Sequence, residues 1–149
     1  MLPPRVYDSQ VRAPWSNFAG RAGSKFLIEL RDNKRIMGLR CPKCGIVYVP
    51  PKSVCSTCFD QIDEWVQVSN KGTLLTYTVV DYVYSFLYQP KTIPYTVGII
   101  RLDGADTGLC HILDETSPAK LKPGARVEAV FKEERKASIL AIDQFRLVS

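Results

Sequence analysis

Hydrophobic and polar positions follow two different rhythms along this chain of 149 residues. From Ser24 to about Arg31 the apolar residues Phe26, Leu27 and Leu30 recur at helical spacing, which predicts a short amphipathic helix with Ser24 as its N-cap and Asn33 as its left-handed stop. KRIMGLR, from Lys34, then reads as a strand, and YVPP after Gly45 as its return. Beyond Gly72 the period shortens to two. GTLLTYTVV is rich in β-branched and aromatic residues, with Leu75, Tyr77 and Val79 on one face and Thr76 and Thr78 on the other. YTVGIIRL repeats that chemistry, its Gly98 marking a bulge or a sharp bend. DGADTG supplies turn residues before GLCHIL begins a third strand. Lys122-Pro123-Gly124 has the order of a type II turn. In the strand that follows, Val127, Ala129 and Phe131 alternate with Arg126, Glu128 and Lys132, and SILAIDQFRLV closes the set.

These elements predict a mainly β protein: an N-terminal helix plus a rubredoxin-like zinc ribbon, followed by a five-stranded OB-type β-barrel, with an open β-sandwich as the alternative. The expected divisions are an extended arm over 1–23, helix and ribbon over 24–68, and barrel over 69–149. The arm is rich in Pro, Gly and Arg without periodicity, and Trp15 and Phe18 are its candidates for docking on a neighbour. Trp65, at the junction, is expected to cover the ribbon against the barrel.

The ribbon is read from CPKCGIVYVPPKSVCSTC, which holds four of the five cysteines. Each Cys-x-x-Cys pair can offer two thiolates from one tight turn. Two such turns make the four-sulfur tetrahedron that zinc favours, so Cys41, Cys44, Cys55 and Cys58 are the predicted ligands of a structural zinc ion. Disulfides or unrelated buried thiols are the bland alternative, and iron also accepts four sulfurs. Pro42 and Gly45 suit the first knuckle. The second has Phe59 and Asp60 where a glycine is expected, so it must tolerate a bulky side chain or bend at Asp60.

Charge narrows the partners. The formal balance is +5, but residues 1 to 58 hold ten Lys/Arg against three Asp/Glu, whereas residues 59 to 149 hold ten against twelve. The barrel half is therefore slightly acidic, which opposes a nucleic-acid groove and leaves a nucleic-acid module as the competing class. The opening MLPPRVYDSQ has no apolar run of the kind a secretion signal needs, and no stretch is long enough to span a membrane, so the expected compartment is the cytoplasm.

The candidates for catalysis are thin. Cys110 and His111 look like a nucleophile and base, but neighbours on a strand point to opposite faces. Cys110 is expected as a buried small hydrophobe, and His111, on the face of Leu109 and Leu113, as a barrel histidine. No Walker or Rossmann glycine loop is present. YVYSFLYQPKTIP between the first two barrel strands is unusually aromatic for a loop, so Tyr82, Tyr84, Phe86 and Tyr88 are candidates for contact with a partner or an acyl pocket.

The order of LRCPKCGIVYVPP, CSTC, DEWV, GTLLTYTVV, IPYTVGIIRLDG and LKPGARVEAVFKEE, over about residues 24 to 147, resembles the small zinc-ribbon/OB-fold subunits that accompany acyl-CoA enzymes, especially thiolases. Within that family the chain is most similar to the small subunits of benzoylsuccinyl-CoA thiolases of anaerobic toluene degradation. The resemblance implies a structural zinc on the four cysteines and a hetero-oligomer with a thiolase-fold large subunit. It also implies a CoA thioester as ligand of the complex, near the interface, and thiolytic cleavage of a β-oxoacyl-CoA by a nucleophile on the large subunit. The chain itself would be a non-catalytic accessory subunit. The missing second-knuckle glycine and the aromatic loop are departures from the pattern.

Overall fold

The structure is a computed structural model that describes residues 16–83 and 92–148. One helix, α1 (Gly20–Asn33), precedes a three-stranded sheet of order β2-β1-β3, built from β1 (Ile36–Arg40), β2 (Val47–Tyr48) and β3 (Glu64–Val68). Five further strands close a barrel: β4 (Lys71–Val80), β5 (Tyr95–Leu102), β6 (Leu109–Leu113), β7 (Arg126–Phe131) and β8 (Ile142–Leu147), in the order β4-β5-β6-β8-β7. The first barrel strand pairs antiparallel with the second and the fourth. The third and fifth close the barrel through one parallel pair, Leu113 with Phe145. This is the OB-type arrangement expected, and the open sandwich is excluded.

The helix buries the predicted stripe, Phe26 and Leu30 fully and Leu27 in part. Its ends differ from expectation. It starts at Gly20, inside the segment read as an extended arm, and Ala19 at its N-cap provides no side-chain hydrogen bond, so Ser24 is interior rather than capping. Asn33 stays helical because its side-chain amide donates to Glu29 Oε2 one turn back at 2.9 Å. The left-handed stop therefore falls at Lys34, with φ of 52°.

In β4 the expected phase is broken. A bulge between Leu74 and Thr76 lets Leu74 point into the barrel, fully buried, and turns Leu75 outward to 39% exposure, while Tyr77 and Val79 stay packed on the core. The bulge lies on β4 and not at Gly98. A Cβ at Gly98 would come within 2.6 Å of Leu113 and 2.7 Å of Leu74, so glycine there makes room for two core leucines. Cys110 is exposed, not buried as expected, because it occupies the outward position of β6. His111 is buried against Phe145, with Nε2 3.3 Å from the Ile139 carbonyl, and burial holds its pKa below the ordinary imidazole value.

Ribbon and barrel share one core. Phe26, Leu30, Ile36, Val47, Val49 and Val68 from the N-terminal part pack with Leu74, Ile100, Leu113, Val127, Ile142 and Phe145 of the barrel. The β5–β6 turn also runs along β2 as a clamp. Asp106 Oδ2 accepts the Val47 N–H at 2.8 Å and the Asp106 N–H donates back to the Val47 carbonyl at 3.0 Å. Thr107 Oγ1 does both for Val49, accepting its N–H at 2.8 Å and donating to its carbonyl at 2.9 Å. An edge strand of two residues is thereby satisfied on both sides.

Candidate metal centre

The four cysteines expected as ligands converge. Their Sγ atoms all lie within 4.8 Å of one another, and Cys44 and Cys55 approach to 3.6 Å. Four sulfurs at zinc's usual bond length of about 2.3 Å stand about 3.8 Å apart, so the cage fits the ion with little adjustment. All four thiols are free of disulfides.

Two knuckles of matching backbone build the cage. In the first, the Gly45 N–H donates to the Cys41 carbonyl at 2.8 Å and the Cys41 N–H to the Ile46 carbonyl at 2.9 Å. In the second, the Phe59 N–H donates to the Cys55 carbonyl at 3.1 Å and the Cys55 N–H to the Asp60 carbonyl at 2.9 Å. The leading cysteine of each, Cys41 and Cys55, is fully buried, while Cys44 is exposed and Cys58 half-buried. Each knuckle turns through a left-handed residue, Gly45 at φ 78° and Phe59 at φ 58°. Of the two ways the second knuckle could close, the chain thus takes the first: Phe59 itself adopts the left-handed conformation. Lys43 Nζ, 3.3 Å from Asp60, ties one knuckle to the other across solvent.

Electrostatics separate the thiols. The Tyr48 hydroxyl lies 3.4 Å from Cys55 Sγ, and the N–H groups of Cys58 and Thr57 donate to that sulfur at 3.3 and 3.4 Å. These donors, led by Tyr48, bring the Cys55 thiol down to about 6 from its ordinary value. Cys58, hydrogen-bonded to Cys44 and partly buried, is pushed up to about 12. Cys55 therefore ionises before Cys58, and a cation bound beside it would favour ionisation of its neighbour. Cys41, Cys44, Cys55 and Cys58 would together hold a zinc ion with no open position, so the ion would supply folding energy.

Around the cage, Leu39, Tyr48 and Ile62 form a small second core with Cys41 and Cys55, and Trp65 packs on it. Lys25 of α1 stands 4.5 Å over the Trp65 ring, so Trp65 lies between the ribbon core and the helix and not, as expected, between ribbon and barrel. Sequence reasoning did not find β3, which carries Trp65, nor the clamp by Asp106 and Thr107. Of the aromatic segment, Tyr82 is described and is 64% exposed, while Tyr84, Phe86 and Tyr88, like Trp15, lie outside the described residues. No helix among the described residues is long and apolar enough to cross a membrane.

Fold and site together define a zinc-ribbon/OB-fold protein. Residues 29–64 match the rubredoxin-like zinc ribbon domain of ChsH2 and residues 65–132 its C-terminal OB-fold domain. A DUF35 domain-containing scaffold protein of Methanocaldococcus jannaschii is 32% identical over 104 residues, covering 69% of this chain and 72% of its own. A second such scaffold protein, from Pyrococcus furiosus, is 27% identical over 113 residues, covering 76% of this chain and 80% of its own. The chain belongs to the DUF35 family. Among solved structures, an Ltp2-ChsH2(DUF35) aldolase chain superposes with TM-score 0.62 at 22% identity, over 91% of this chain and 98% of that one. A DUF35 protein of unknown function from Sulfolobus solfataricus gives TM-score 0.62 at 25% identity, over 86% and 84%. These likenesses support the fold.

Proposed function

We propose that this chain is a non-catalytic scaffold subunit of a thiolase-type acyl-CoA complex, docking on a larger subunit and helping to shape its CoA or acyl pocket. The observation that carries the reading is the clamped two-module body. Four of its cysteines converge in a cage able to hold a metal ion, and its buried histidine lies against the Ile139 carbonyl inside the barrel. What remains is a rigid surface with an exposed Tyr82 where the aromatic segment begins. Two relatives bear the name scaffold protein, and a fold neighbour bears the name Ltp2-ChsH2(DUF35) aldolase. The thiolase assignment, with benzoylsuccinyl-CoA as its first candidate substrate, rests on the resemblance of the motif order.

The test is copurification of the tagged chain from its native extract, followed by assay of β-oxoacyl-CoA thiolysis with and without added chain. A thiolase-fold partner whose rate depends on the chain is the expected result. A partner that instead cleaves by retro-aldol chemistry would replace the thiolase with an aldolase. An unchanged rate would reduce the role to assembly, and recovery of nucleic acid with a steep salt dependence would overturn the reading.

A further inference from the structure

The two knuckles repeat each other's backbone, so one serves as a control for the other. At the left-handed position the first has Gly45, the residue that conformation favours, and a Cβ there would meet nothing within 4 Å. The second has Phe59 in the same conformation, and its side chain is 81% exposed. A bulky residue in this region is strained. Burial among the described residues does not repay the strain, because Phe59 is almost wholly in solvent. Val54, bridged to Gln61 at the base of the knuckle, is also exposed, at 44%. The nearby cations are engaged: Lys43 is held by Asp60, and Lys52 leans over Tyr48 and bonds Ser56. One ring beside a carboxylate and a tetrathiolate is a poor platform for a polyanion, which needs several rings and free cations.

We infer that the tip of the second knuckle, Phe59, is a docking knob that enters an apolar socket on the large subunit proposed above. This inference rests on that functional reading. Exposed aromatic anchors filling a pocket are the groups that carry most of the energy of an interface, and strain tolerated without internal benefit marks a position kept for function. Because the proposed contact is between apolar groups, its binding depends weakly on salt.

The test titrates the zinc-loaded full chain and its Phe59→Gly, Phe59→Asn and Phe59→Leu variants against the purified large subunit, and measures the melting temperature of each free variant. Phe59→Gly and Phe59→Asn relieve the backbone, so they raise the melting temperature while weakening association roughly tenfold or more. Phe59→Leu keeps the apolar tip and most of the affinity. Association of Phe59→Gly equal to the parent overturns the knob and leaves the functional reading standing. Failure of the parent chain itself to bind overturns both. A concentration-dependent dimer of the chain alone that Phe59→Gly abolishes assigns the tip to self-association and overturns the proposal.

Discussion

The first knuckle leads into a strand that is clamped to the barrel and the second does not, although both tips are exposed and their hydrogen bonds and turns are nearly the same. The strand leaving the first, β2, is clamped between β1 and the barrel turn at Asp106 and Thr107. Its Tyr48 reaches across to the second knuckle, where the hydroxyl meets Cys55 Sγ and accepts the Ser56 N–H at 3.1 Å. The chain leaving the second knuckle pairs through the isolated Val54–Gln61 bridge and buries Ile62 before β3, with no clamp from the barrel among the described residues. Equal ligand geometry thus rests on unequal support: the metal cage is anchored to the barrel from one side and presents the other.

The strongest way to break the comparison is to remove a ligand. Cys44→Ala leaves three thiolates and forfeits most of the zinc's contribution to folding, about 10 kcal/mol for sites of this type. Since Val47 and Val49 belong to the core shared with the barrel, the loss spreads beyond the ribbon. Zinc content and limited proteolysis check this, and a soluble, protease-resistant Cys44→Ala chain would refute it.

Tyr48→Phe asks how far the first side sustains the second. The substitution keeps the buried ring and deletes the hydroxyl that leads the lowering of Cys55. Groups that orient metal ligands from behind typically contribute tenfold to hundredfold in affinity, so competition with a chelator should show zinc bound about that much more weakly. The sign with pH follows. Stability from the Cys55 thiolate in the metal-free chain is present above the ordinary thiol value of 9.0 and is lost as pH falls through about 6. Without the hydroxyl the thiol pKa rises, protons compete better with the ion, and zinc release on acidification moves to higher pH. An unchanged release curve would mean that the N–H groups of Thr57 and Cys58 suffice.

The cage and the barrel were legible because their signals are local. Two Cys-x-x-Cys pairs need only chain geometry, and period-two alternation marks β5 and β7 directly. The misses all depend on distant neighbours. EWVQV becomes β3 because β1 has a free side for it to pair with, through the register of Leu39 with Trp65. Leu74 displaces Leu75 from the core because a bulge shifts the phase, and alternation alone does not locate a bulge. In DGADTG the turn residues were visible, but not that Asp106 would also serve a strand 59 residues away. Asn33 carried the right signal for a stop, overridden by a side-chain bond to Glu29.

The smallest effect sharpens the comparison most. Gly45→Phe gives the first knuckle the second's residue, and since a Cβ there has open space the cost is the backbone alone, about 1 kcal/mol in chemical denaturation. Phe59→Gly should return a similar amount, so the exchange of both residues leaves stability within about half a kcal/mol of the parent if the knuckles act independently. Association with a large subunit should not follow stability. The exchanged chain keeps a phenylalanine, but on the other knuckle, so its binding should stay as weak as that of Phe59→Gly. Binding restored by the exchange would mean that any exposed ring on the ribbon suffices, and the distinction between an anchored and a presented knuckle would lose its functional content.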